Sequence, residues 1–70
     1  MHNNIRELRE AAGMTQGELA GRAGVSRPYL SNVENGAAEP TVKKAAAIAR
    51  ALGVTVDELF PSAGARKGTA

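Results

Sequence analysis

One glycine, Gly24, does most to limit what this chain can fold into. It stands between two short stretches of helical periodicity, with Leu19, Ala20 and Ala23 before it and Leu30 and Val33 after it. Glycine readily takes the positive φ that ends a helix in a tight turn. Val25 follows at once and can plug the corner, and Ala20 is small enough to let a second helix cross close by. The segment 14–36 therefore predicts two short amphipathic helices meeting at a sharp turn, with the second held out from the body of the domain.

The helix starts are marked locally. Thr15 and Glu18 form a Thr-x-x-Glu capping box with Met14 and Leu19 at the staple positions, and Thr55 with Glu58 repeats it between Val54 and Leu59. Ser26 can cap the second helix of the unit, and Pro28 falls in its first turn, where a missing N–H costs little. Each cap contributes roughly 1 kcal/mol.

The same periodicity predicts an all-α chain. Helices are expected over 4–12, 16–22, 27–35, 42–52 and 56–60, with a loop at 36–40 and Pro61 closing the fold. Ile5, Leu8 and Ala12 form the apolar stripe of the first; Val42, Ala45, Ile48, Ala49 and Leu52 share a face of the fourth. Residues 1–61 read as one domain and 62–70, small, polar and aperiodic, as a disordered tail. A 70-residue chain buries only about 60% of its unfolded surface, so modest stability is expected.

Composition excludes more than it selects. There is no cysteine, so no disulfide, thiolate metal site or thiol nucleophile. No apolar run is long enough to span a bilayer, and Met1-His2-Asn3-Asn4 lacks a signal pattern, which makes the cytoplasm, with the nucleoid as working surface, the expected location. The lone His2 reads as a solvated terminus. Glu7 with Glu10 reads as a solvated face, and Asp57 with Glu58 as complements to a helix dipole. No catalytic constellation, phosphate-loop glycine pattern, cofactor site or metal site is expected. The net charge of +2 permits nucleic-acid binding without indicating it.

Two charges fall on inward stripes: Arg9 with Ile5, Leu8 and Ala12, and Glu34 with Leu30 and Val33. Either alone would be costly to bury. They can form an ion pair between the first and third helices, or edge the core and reach solvent by snorkelling.

Several pieces in order resemble the Cro/repressor-type (XRE-like) helix-turn-helix family, related to phage lambda repressor domains. They are Ile5-Arg6-Glu7-Leu8-Arg9, Met14-Thr15-Gln16, Glu18-Leu19-Ala20, Gly24-Val25-Ser26, Val33-Glu34-Asn35-Gly36, Pro40, Ile48-Ala49-Arg50-Ala51-Leu52-Gly53-Val54 and Val56-Asp57-Glu58-Leu59. The resemblance covers about four-fifths of the chain. It implies a compact five-helix lambda-repressor-like fold and sequence-specific binding of double-stranded DNA, usually as a homodimer, with helix 3 in the major groove. It also implies that Arg27, Pro28, Tyr29 and Asn32 read bases, that Gln16 binds phosphate, and that an Arg–Glu pair occupies the positions of Arg9 and Glu34.

The residues themselves agree in part. At 100° per residue, Pro28, Asn32 and Asn35 point away from the Leu30/Val33 stripe, with Ser31 beside them. Arg can bond a guanine edge and Asn an adenine edge in bidentate fashion. Arg27 can instead meet a phosphate, and Asn32 can be an ordinary solvated residue. Tyr29 either stacks on the DNA backbone or covers the helix 2–3 corner. Gln16, Gly17, Ser31, Asn35 and Lys43 are the phosphate candidates, Gly17 being equally readable as a tolerated weak spot. The loop Ala37-Ala38-Glu39 lacks the basic residues many relatives carry, and Ala45-Ala46 stands where they often have leucines. Val56, Leu59 and Phe60 are the dimer candidates, with Phe60 alternatively sealing the monomer's core. The reading is a transcriptional regulator, a repressor acting on a palindromic operator. The alternatives are an antitoxin with a protein partner, a restriction-modification controller, or a protein-interaction module that binds DNA weakly.

Overall fold

The computed structural model describes residues 3–61. The expectations for His2 and for the tail at 62–70 lie outside the described residues. The five elements are α1 (Ile5–Ala11), α2 (Gln16–Ala23), α3 (Arg27–Glu34), α4 (Val42–Leu52) and α5 (Val56–Leu59), with no strand among the described residues.

The corner at Gly24 forms by the expected route. Gly24 has φ 74°, and the N–H of Val25 reaches back to the carbonyl of Ala20 at 3.0 Å, closing α2 while Val25 packs against the core. Gly53 repeats the device at the end of α4, with φ 75° and a bond from the Val54 N–H to the Ala49 carbonyl at 3.0 Å. Both capping boxes are complete: Thr15 and Thr55 each accept from the N–H three residues on and donate their own N–H to Glu18 and Glu58. Ser26 accepts from the N–H of Tyr29 at 3.1 Å. Thr41 caps α4 in the same way through the N–H of Lys44, a cap not anticipated from the sequence.

α2 is the centre of the packing. It lies against both α3 and α4, and α4 in turn carries α5. Ile5, Leu19, Ala20, Leu30, Val33, Ile48, Ala49 and Leu59 form one buried cluster drawn from all five helices. Six of these side chains are fully enclosed, each stabilising by roughly 1.5–3 kcal/mol relative to exposure. The alanines Ala45 and Ala49 are buried on α4 beside Ile48, so its packing face includes small residues at positions where a leucine would hold the helices further apart.

Three expectations are corrected. Ala12 is exposed: α1 ends at Ala11, so Ala12 caps the helix rather than extending its stripe. Val42 is 88% exposed: it is the first residue of α4, and burial of the stripe begins a turn later at Ala45 and Ile48. Leu59 is fully buried in the core cluster and cannot offer a surface to a second copy.

The start of α1 is tied down. The Asn3 side chain donates to the carbonyl of Val33 at 2.8 Å and accepts from the N–H of Ile5 at 3.1 Å. Asn4 donates its N–H to the Leu59 carbonyl and its side-chain amide to the Glu58 carbonyl, at 2.9 and 3.2 Å. These bonds fasten the first turn of α1 to the ends of α3 and α5.

Candidate nucleic-acid interface

α3 is anchored on one face and open on the other. Leu30 and Val33 are fully buried, while Arg27, Pro28, Asn32 and Asn35 are exposed and Ser31 is half-buried. The side chains of Arg27 and Asn32 have no partner among the described residues, so their hydrogen-bonding capacity is intact. The Asn32 carbonyl is the part in use: it accepts from the N–H groups of Ala37 and Ala38, which folds the loop back after the helix. Tyr29 is half-buried and packs against the core cluster, with Lys44 Nζ 5.5 Å from its ring centroid. That cation–π contact joins the first turn of α4 to the first turn of α3.

The other end of α3 is held by Glu34. Its side chain is completely enclosed, and Arg9, 11% exposed, meets it with Nε–Oε2 at 2.8 Å and Nη2–Oε1 at 3.2 Å. The third Arg9 nitrogen, Nη1, donates to the Met14 carbonyl at 3.0 Å. Arg9 has its pKa raised above the ordinary arginine value, chiefly by the hydrogen bond to Glu34, which outweighs the cost of desolvation. Gln16 Nε2 also donates to Glu34 Oε1, at 3.3 Å. No buried side-chain nitrogen or oxygen among the described residues lacks a partner. One carboxylate thus fixes the C-terminal end of α3 to α1 and to the first residue of α2.

The remaining site residues are placed as follows. Gln16 is half-buried and turned toward Glu34. Gly17 is exposed, and a Cβ there would meet only Thr15 Oγ1 at 4.0 Å, so no contact among the described residues requires a glycine. Lys43 is exposed and has no partner among the described residues. Asn35 accepts from Arg6 Nη2 at 3.1 Å through Oδ1. Val56 is 37% exposed and Phe60 is half-buried against the core. Sequence reasoning missed Arg6 and Lys44. The signal for Arg6 was its place three residues before Arg9, on the neighbouring part of the same helix face. The signal for Lys44 was its place in the capped first turn of α4.

The helix-turn-helix family model matches residues 5–59. This chain belongs to the helix-turn-helix family. Its helix-turn-helix unit is α2, the Gly24 corner and α3, within a lambda-repressor-like arrangement of five helices. It is 45% identical over 60 residues to an uncharacterised HTH-type transcriptional regulator of Mycobacterium tuberculosis, covering 86% of this chain and 43% of that protein. It is 40% identical over 60 residues to an uncharacterised HTH-type transcriptional regulator of Archaeoglobus fulgidus, covering 86% of each. Among solved structures it is similar to the restriction-modification controller protein C.AhdI from Aeromonas hydrophila, with TM-score 0.77 and 38% identity over 80% of this chain and 85% of that one. The chain spans less than half the length of the mycobacterial relative. Among the described residues no helix is long and apolar enough to cross a membrane.

Proposed function

We propose that this helix-turn-helix chain is a sequence-specific regulator of transcription, a repressor, that binds a palindromic double-stranded DNA operator as a homodimer. α3 enters the major groove, with Arg27 and Asn32 on base edges and Pro28 and Tyr29 beside them at its start. Gln16, Gly17, Ser31, Asn35 and Lys43 surround it with phosphate contacts, Gln16 and Gly17 from the start of α2. The observation that carries the reading is the two-sided character of α3. Its apolar face is fully buried, its Glu34 end is locked, and the polar side chains of Arg27 and Asn32 on its other face have no partner among the described residues. Dimerisation would use Val56 and Phe60 in place of the buried Leu59, and would set two copies of α3 about 34 Å apart, one turn of DNA.

Selection of bound duplexes from a random DNA pool, at stated salt, tests this directly. A motif with two inverted half-sites is the expected result, and the absence of any enriched motif would sink the reading. The likeness to C.AhdI favours a second reading with the same DNA chemistry, a controller of a restriction-modification system. It is distinguished by whether the selected operator lies upstream of restriction and methyltransferase genes.

A further inference from the structure

A polar cleft lies where α1 meets the end of α3, lined by Asn3, Arg6, Glu7, Glu34 and Asn35. We infer that Arg6 is a further DNA-phosphate contact and that it also sets the direction in which Asn35 donates. The inference rests on the DNA-binding reading above.

The geometry is specific. Arg6 Nη2 donates to Asn35 Oδ1 at 3.1 Å, and Arg6 Nε lies 3.7 Å from Glu34 Oε1. That carboxylate oxygen is the one that also accepts from Gln16 Nε2. Arg6 therefore stands between Gln16 and Asn35, the phosphate candidates at the start of α2 and the end of α3. Charge supports the role. Glu34 is matched by Arg9 at 2.8 Å, which leaves the guanidinium of Arg6, with its side chain 57% exposed, as surplus positive charge at this end of α3. Besides Glu34, the acidic residue that lines the cleft is Glu7, which is exposed and opposes that charge.

Orientation follows from the same bond. An asparagine amide presents an acceptor on one side and two donors on the other. With Oδ1 taken by Arg6, the Asn35 Nδ2 donors face away from the guanidinium, the polarity an anionic oxygen requires. Arg6 keeps further N–H donors for the same anion, since a guanidinium carries five in a fixed fork. A lysine would keep the charge and lose the fork.

The test is operator binding by the full 70-residue chain, titrated between 50 and 200 mM salt, for the natural protein, Arg6→Gln, Arg6→Lys and Glu7→Gln. Each phosphate contact adds about 0.9 to the slope of log K against log salt. Arg6→Gln should therefore lose about 3.5-fold less affinity than the natural protein over that fourfold change in salt. Arg6→Lys should restore the slope, and Glu7→Gln should tighten binding. A merely structural arginine would give a loss with the slope unchanged, and that result overturns the inference. So does an Arg6→Lys slope that stays with the glutamine variant, or a Glu7→Gln affinity no tighter than the natural one. A natural protein that enriches no duplex overturns the DNA-binding reading itself, and a bound operator with an unaltered Arg6→Gln slope overturns this inference alone.

Discussion

Removing the Glu34 carboxylate should cost this domain a large part of its stability. In Glu34→Ala the Arg9 guanidinium, 11% exposed, loses two charge-assisted hydrogen bonds and keeps only the Met14 carbonyl, while Gln16 loses its acceptor. Breaking a buried pair by removing one partner costs about 3–5 kcal/mol, because the other charge stays desolvated. The residual exposure of Arg9 and its bond to Met14 place the expected value at the lower end, about 3 kcal/mol. Domains hold roughly 0.05–0.15 kcal/mol per residue, about 3.5–10.5 kcal/mol for 70 residues, so the loss is between about a third and most of the whole. Denaturant melts of Glu34→Ala, Arg9→Met and the double variant Arg9→Met/Glu34→Leu measure it, with Glu34→Gln as a milder probe if the alanine variant does not fold. The double variant should be more stable than either single one, since apolar replacement of both partners leaves no stranded charge. The raised pKa of Arg9 adds a pH condition. Its stabilisation is fully present below the ordinary arginine value and fades only as pH rises through the still higher folded value, so it should be undiminished across the neutral and moderately alkaline range. A Glu34→Ala loss within about 0–1 kcal/mol, the range of an exposed pair, would refute the argument.

Three further outcomes are expected. Gly21 lies in the body of α2, and a Cβ at that position would meet nothing within 4 Å, so Gly21→Ala should raise stability by about 0.4–1 kcal/mol in the same melts; a loss would mean that the position is packed against. Arg27→Ala and Asn32→Ala should each relax preference at one half-site position by about 1–3 kcal/mol in duplex selection, whereas Lys43→Ala should weaken all sequences evenly; an unchanged motif for Asn32→Ala would remove it from base reading. Val56 is exposed while Leu59 is buried, so Val56→Glu should lower the dimer signal in sedimentation with the helical circular-dichroism spectrum intact; an unchanged dimer would place the interface elsewhere.

What could be read from the sequence was what depends on residues close together in the chain. The Gly24 turn, the capping boxes at Thr15 and Thr55 and the Ser26 cap each involve residues within a few positions, where residue type alone restricts the backbone. The Arg9–Glu34 contact spans 25 residues yet was legible, because each charge sits on an apolar stripe where only a partner makes it tolerable. Val42 was misread for a definite reason. Periodicity gives the direction a side chain takes around the helix axis, and not whether another helix reaches that far along it. Leu59 shows the matching limit: an apolar face on a short helix can cover the chain's own core or a second copy, and the pattern is the same for both.

The polar residues divide along the same line. Asn3 and Asn32 are the same residue type, and the family resemblance gives a role to Asn32 alone. Asn3 spends its amide on the Val33 carbonyl, 30 residues away, and on the N–H of Ile5. Asn32 directly precedes that same Val33 in the chain and lies on the open face of α3, where its side chain has no partner among the described residues. Bonds such as the one from Asn3 leave no periodic trace in the chain, so the tie between the start of α1 and the end of α3 could not be anticipated. Yet that tie, with Glu34, is what makes the openness of Asn32 consequential. A polar side chain on a loose helix loses to entropy much of what it gains on binding. On a helix fixed at its end by Asn3, Arg9 and Gln16 and along its length by Leu30 and Val33, the position of the Asn32 side chain is settled before the base contact proposed for it forms.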